Sequence, residues 1–137
     1  MKTHSKPEHI PEGYFYKHPS TIWEQIKEEI LAAIICGDLQ QGDKAPSLTE
    51  VTINFNCSRS TAQKVLESLC EAKILYIVPG RGLFVNKAKE VIEQATTEYK
   101  ESMEYLLQRY IAMGKRIKMT DEQILNEFKR YLNEEQD

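Results

Sequence analysis

Four polar side chains cluster in the run SRSTAQKVLESL at residues 58–69: Arg59, Ser60, Gln63 and Lys64. An arginine can donate two parallel hydrogen bonds to guanine O6 and N7, and a glutamine can pair with adenine N6 and N7. Lysine and the hydroxyls of Ser60 and Thr61 suit phosphate oxygens. This is the chemistry of recognition rather than of bond cleavage. His4, His9 and His18 all lie in the N-terminal segment, far in sequence from any capped nucleophile, and they lack metal-ligand spacing. No paired carboxylates suggest acid–base work, and Gly80-Arg81-Gly82 has the form of neither a dinucleotide fingerprint nor a phosphate-binding loop. The chain is therefore expected to be no enzyme and to need no cofactor or metal.

The four side chains need a helix to carry them. Ser58 is placed to cap one, with Ala62, Val65, Leu66 and Leu69 recurring on its inner side. A shorter helix precedes it. Ser47 and Glu50 have capping-box spacing, Leu48, Val51 and Phe55 form a stripe, and Asn54–Asn56 breaks the period. Two short helices joined by a tight turn form the helix-turn-helix pattern, whose second helix can enter a major groove. Many small helical proteins share this geometry, so the pair alone leaves duplex recognition and ordinary packing both open.

Upstream, Thr21 and Glu24 have capping-box spacing for a helix with Ile22, Ile26, Ile30, Ala33 and Ile34 on its apolar face, stopped by Gly37. Trp23 is expected at the edge of that face, and Leu39 buried. Downstream, Lys73–Val78 is rich in β-formers and Leu83-Phe84-Val85 returns after Pro79-Gly80-Arg81-Gly82. A glycine turn with Arg81 at its tip can approach a sugar-phosphate backbone closely because it carries little bulk. A plain surface hairpin with a solvated arginine fits the same residues.

From Ala88 the period becomes that of a long helix, with Val91, Ile92, Ala95, Tyr99, Met103, Leu106, Tyr110 and Met113 at threes and fours and Gly114 as its expected terminator. Thr120 and Gln123 have capping-box spacing for a last helix whose apolar side is Ile124, Leu125, Phe128, Tyr131 and Leu132. Two helices cannot bury both faces alone. The long stripe points to a second copy, with Ile92, Ala95, Tyr99, Met103, Leu106, Tyr110, Met113, Ile124, Phe128 and Tyr131 as the dimerisation set. Residues 1–19, with three prolines and no period, read as an N-terminal arm.

The net charge of −3 does not advertise a nucleic-acid partner, but the charge is unevenly spread. Residues 59–89 hold Arg59, Lys64, Lys73, Arg81, Lys87 and Lys89 against Glu67 and Glu71, whereas acids outnumber bases from residue 90 onward. No apolar run of about 18 residues is present, and the N-terminus lacks the pattern of a signal peptide, so no membrane partner is expected and a cytoplasmic location is. Cys36, Cys57 and Cys70 form an odd set near apolar helical patterns and are expected to be buried free thiols.

Together these strings resemble the winged helix-turn-helix domain of the GntR family of bacterial transcription regulators. The resemblance spans residues 22–85. It rests on Ile22–Lys27 (IWEQIK), AAIICGDLQQGDKAPS at Ala32–Ser47, CSRSTAQKVLESL at Cys57–Leu69 and IVPGRGLFV at Ile77–Val85. It implies that Arg59 contacts a duplex, that Ser58 and Thr61 support the helix start and phosphate contacts, and that Gly80 and Gly82 lie near the minor groove. Gln63 and Lys64 fall where operator preference is expected. The chain departs from the pattern at Ala45, where leucine is usual, at Thr49, where some members carry a charged residue, and at Gln63, where some carry arginine. The two C-terminal helices resemble the short YtrA-like subfamily in length and helix number, and members of it resemble repressors of transport or cell-envelope operons.

The expected architecture is mainly α with a small β-hairpin: an arm over 1–19, a winged helix-turn-helix domain over 20–87 and a two-helix dimerisation or effector region over 88–137. The expected function is sequence-specific binding of double-stranded DNA by a homodimeric repressor on an inverted repeat. Ser47, Thr49, Ser58, Arg59, Ser60, Thr61, Gln63, Lys64, Gly80, Arg81 and Gly82 form the expected interface. No small-molecule effector is identified. The alternative is a winged-helix interaction or dimerisation module that binds no duplex.

Overall fold

A computed structural model describes residues 22–136, with side chains to residue 134; the N-terminal arm and the Thr21 cap lie outside the described residues. In chain order the elements are α1 (Ile22–Ile35), α2 (Leu48–Phe55), α3 (Arg59–Glu71), β1 (Leu75–Val78), β2 (Gly82–Val85), α4 (Val91–Arg116) and α5 (Asp121–Gln136). They divide into two compact units, one reaching to Tyr99 and the other running from Lys100. Among the described residues no helix is long and apolar enough to cross a membrane.

In the first unit, Ile26, Ile30 and Ile34 of α1 are buried together with Leu31, which the sequence stripe omitted. Ile22, Trp23 and Leu39 only edge the core, so Leu39 is half-buried rather than buried. Gly37, at φ +88°, turns the chain out of α1. The Ser47 capping box at α2 is complete: the Glu50 N–H donates to Ser47 Oγ at 3.1 Å, and the Ser47 N–H donates to Glu50 Oε1 at 3.2 Å. Asn56, in the left-handed region at φ 50°, closes α2. The inner side of α3, Ala62, Val65, Leu66 and Leu69, fills the middle of the core. Full burial of each large aliphatic chain contributes roughly 1.5–3 kcal/mol, so this shared core rather than intrinsic propensity holds the short helices.

The end of α3 is a Schellman turn built on a lysine. Lys73 sits at φ 62°, its N–H donates to Cys70 O, and the Ile74 N–H donates to Leu69 O, each at 3.0 Å. The chain then enters the antiparallel hairpin, with Leu75 opposite Val85 and Val78 opposite Gly82. Pro79 and positive-φ Gly80 occupy the middle of the turn, and the Arg81 N–H donates to Val78 O at 2.9 Å, as in a type II turn. On the free edge of β2 the loop before Pro46 adds its own backbone bonds. Ala45 N–H donates to Leu83 O, Val85 N–H donates to Asp43 O, both at 2.8 Å, and Lys44 bridges to Phe84. Strand alternation sends Leu75, Val85 and Ala45 into the core, while Tyr76 and Phe84 stack 5.9 Å apart on the opposite face.

The first turns of α4 complete this unit. Val91 and Ala95 are fully buried in the core and Tyr99 packs against it. Glu98 accepts from Lys27 Nζ at 3.2 Å, with both side chains largely shielded, and the same ammonium lies 5.5 Å from the Trp23 ring centre.

In the second unit, α4 does not stop at Gly114 as the sequence suggested. Gly114 is helical and buried, and a Cβ on it would lie 2.9 Å from Ile124 Cγ1. Its missing side chain makes room for α5. The stop comes at Lys118, at φ 65°, with Lys118 N–H donating to Lys115 O and Met119 N–H to Gly114 O. The Thr120–Gln123 capping box is formed, at 3.1 Å and 2.8 Å.

Candidate nucleic-acid interface

The start of α3 is shaped by one hydroxyl. Ser58 Oγ accepts the Thr61 N–H at 3.1 Å and donates its proton to Thr61 Oγ1 at 2.9 Å. One free amide of the helix start is satisfied, and the Thr61 hydroxyl keeps its own proton for an external acceptor. The cap aims the first turn outward, leaving Arg59, Ser60, Gln63 and Lys64 exposed while Ala62, Val65 and Leu66 point inward. Among the described residues, the cationic heads of Arg59, Lys64 and Arg81 carry no ion pair. They stand near the positive end of the helix dipole or at the hairpin tip, where an anion is favoured.

Arg59, Gln63 and Glu67 follow one another at i, i+4 along a single ridge of α3. Gln63 Nε2 donates to Glu67 Oε1 at 2.9 Å. The ridge thus runs from a cation to an anion through an amide whose orientation is held. Beside it, an apolar groove of about 470 Å³ separates α3 from the hairpin, with Leu66, Glu67 and Cys70 on one wall and Ile77, Gly82 and Leu83 on the other.

The hairpin supplies Gly80, Arg81 and Gly82, all exposed. Gly82 has φ +113°, a conformation that side chains disfavour, and a Cβ there would stand 3.4 Å from Lys44 Cε. The Lys44 stem therefore lies across the hairpin, a cation the sequence reading passed over. Its sequence signal was its place in GDKAPS, but only the pairing of residues 43–45 with β2 brings it to Gly82. On α2, Ser47 is occupied as a cap and half-exposed. Thr49 is exposed, and its carbonyl accepts from Thr52 Oγ1 at 2.6 Å.

Other expected residues divide differently. Cys36 is exposed, not buried, because it falls after the last inward position of α1; Cys57 and Cys70 are half-buried. Burial pushes both of these thiols above their ordinary range. Of the residues expected to face a second copy, Ile92, Met103, Tyr110, Met113, Phe128 and Tyr131 are exposed, and Tyr99 and Leu106 are half-buried. Ala95 and Ile124 are spent within their own chain, one in the first unit's core and the other against Gly114. Tyr110, Phe128, Tyr131 and Leu132 line a shallow apolar hollow in the second unit.

A capped helix-turn-helix followed by a β-hairpin beside the second helix defines a winged helix-turn-helix protein. The winged helix-turn-helix domain at residues 22–85 matches the gntR family of bacterial regulatory proteins. The transcriptional repressor NagR of Bacillus subtilis is 37% identical over 86 residues, which are 62% of this chain and 35% of NagR. A GntR family transcriptional regulator from Listeria monocytogenes superposes with a TM-score of 0.59 at 25% identity, covering 83% of this chain and 97% of that one. The DNA-binding domain of AraR, solved in complex with operator ORX1, has a TM-score of 0.50 at 27% identity, covering 62% of this chain and 98% of that one. The chain spans only 20–35% of the length of the first curated relatives it matches.

Proposed function

We propose that this protein is a sequence-specific double-stranded DNA-binding repressor that acts in the cytoplasm as a homodimer on an inverted repeat. The observation that carries this reading is the Ser58-capped helix, which presents exposed Arg59 and Gln63 beside a glycine hairpin tipped by Arg81. In this reading the N-terminal half of α3 enters a major groove. Arg59 donates to guanine O6 and N7, and Gln63 pairs with an adenine edge. Ser60, Thr61 and Lys64 hold phosphates, Ser47 and Thr49 approach the backbone from α2, and Arg81 reaches the backbone or minor groove over Gly80 and Gly82. Lys44, lying across Gly82, adds a further cation to the hairpin's phosphate contacts.

The exposed apolar side chains Met103, Tyr110, Met113, Phe128 and Tyr131 suit a self-complementary two-fold interface. A two-fold dimer would place two α3 helices on two half-sites, hence the inverted repeat. The two helices that follow the winged domain are in keeping with a YtrA-like regulator, and with it control of a transporter or cell-envelope operon by blocking the promoter. The related repressor NagR and the operator complex of AraR support the repressor assignment.

The test is selection of bound duplexes from a random pool, followed by salt-titrated binding. A palindromic consensus and a steep fall of affinity with salt are expected. Arg59→Ala weakens specific binding by about 1–3 kcal/mol and relaxes one base position. Salt-independent behaviour with no selected sequence would identify the module as a protein-interaction domain instead.

A further inference from the structure

The Gln63–Glu67 hydrogen bond has consequences for which base Gln63 can accept. A free glutamine amide offers two N–H donors and an acceptor oxygen, and it can present either edge by rotating. Glu67 removes that choice. Its carboxylate can only accept, and nitrogen is the amide's only donor, so it binds Nε2 at 2.9 Å and turns the amide oxygen away. One N–H and the oxygen remain, which is the donor–acceptor pair that matches adenine N7 and N6. Guanine presents two acceptors on the same edge, and the second donor needed to satisfy both is already occupied by Glu67. The Glu67 charge also repels guanine O6, N7 and the neighbouring phosphates. Glu71, one turn further on, extends the acidic half of the ridge and is likewise exposed.

We propose that Glu67 is a specificity-determining residue, which orients the Gln63 carboxamide toward adenine and lowers affinity for other duplexes. The proposal rests on the reading of α3 as the DNA-contacting helix. Glu67 here is a positioning residue that acts through Gln63. Its two effects have opposite signs, and this separates it from a merely solvated surface charge. Removing it strengthens binding to random DNA while weakening discrimination at a single base pair. Loss of helix stability would weaken both.

The experiment uses the full chain and a duplex selected by the wild-type protein from a random pool, with each position then varied through all four base pairs. Glu67→Ala is expected to bind a random duplex about two- to fivefold more tightly, because one phosphate-facing anion is gone. At the position where Gln63→Ala flattens base preference, Glu67→Ala reduces the adenine-over-guanine ratio by about fivefold or more. Glu67→Gln, whose amide oxygen can still accept from Gln63 Nε2, retains most of that ratio while sharing the gain in random binding. The proposal is overturned if Glu67→Ala leaves every base preference intact. It is equally overturned if preference changes at a position untouched by Gln63→Ala, since Glu67 would then contact a base itself. If the wild-type protein selects no sequence and shows no salt-dependent binding, the DNA-binding reading fails and this inference with it.

Discussion

Gly114 tests whether packing or helix termination dictates a glycine in the C-terminal unit. A Cβ at this position would lie 2.9 Å from Ile124 Cγ1 and 3.0 Å from Ile124 Cδ1. Ile124 is β-branched and 7% exposed, so its side chain has little freedom to retreat. Overpacking of this kind costs about 1–3 kcal/mol. Against it stands the gain of about 0.8–1 kcal/mol when alanine replaces glycine inside a helix. Gly114→Ala should therefore destabilise by about 0–2 kcal/mol. In an Ile124→Ala background the clash is absent and only the propensity gain remains, so the same substitution should stabilise by about 1 kcal/mol. The sign reverses between backgrounds. Urea unfolding followed by far-UV circular dichroism measures this, with all four proteins at one concentration because self-association would shift the apparent stability. Equal effects of Gly114→Ala in both backgrounds would refute the packing explanation.

Three further outcomes follow from the first unit. Lys44→Ala should weaken binding to operator and random duplexes alike and reduce the salt slope by about 0.9, the value for one phosphate contact, as read by anisotropy titrations across salt. Glu28 is held above the ordinary carboxylate range by burial first and by the Glu24 charge second. Its raised folded value means that the native state binds more protons just above pH 4.5, so its ionisation costs stability as pH rises through that folded value. Glu28→Gln should raise the thermal midpoint at neutral pH, and the advantage should vanish below pH 4.5, as a melting series over pH would reveal. Lys73 occupies a left-handed position at the end of α3 at φ 62°. Lys73→Gly should stabilise by up to about 1 kcal/mol, measured by chemical denaturation, because glycine carries no Cβ penalty there.

Much of this molecule is written in short-range patterns. The capping boxes at Ser47 and Thr120, the Ser58 cap and the Pro79-Gly80 turn each depend on residues within a few positions of one another, and each is formed as its local sequence requires. The outward position of Arg59, Gln63 and Lys64 follows from the same periodicity that buries Ala62, Val65 and Leu66. Such features need only backbone geometry and one amphipathic period.

Tertiary structure decided what depends on neighbours far along the chain. Lys44 joins the hairpin only because residues 43–45 pair with β2. Ala95 lies on the same helical stripe as exposed Met103, yet one is buried in the first unit and the other is left open, a difference that periodicity does not encode. Gly114 has the composition of a stop signal, but Ile124 makes it a packing position and moves the stop to Lys118. Sequence by itself thus determined which side chains α3 offers to solvent and where that helix begins. Side-chain packing and cross-strand bonds, which act through space rather than along the chain, decided which cations and which apolar faces accompany it.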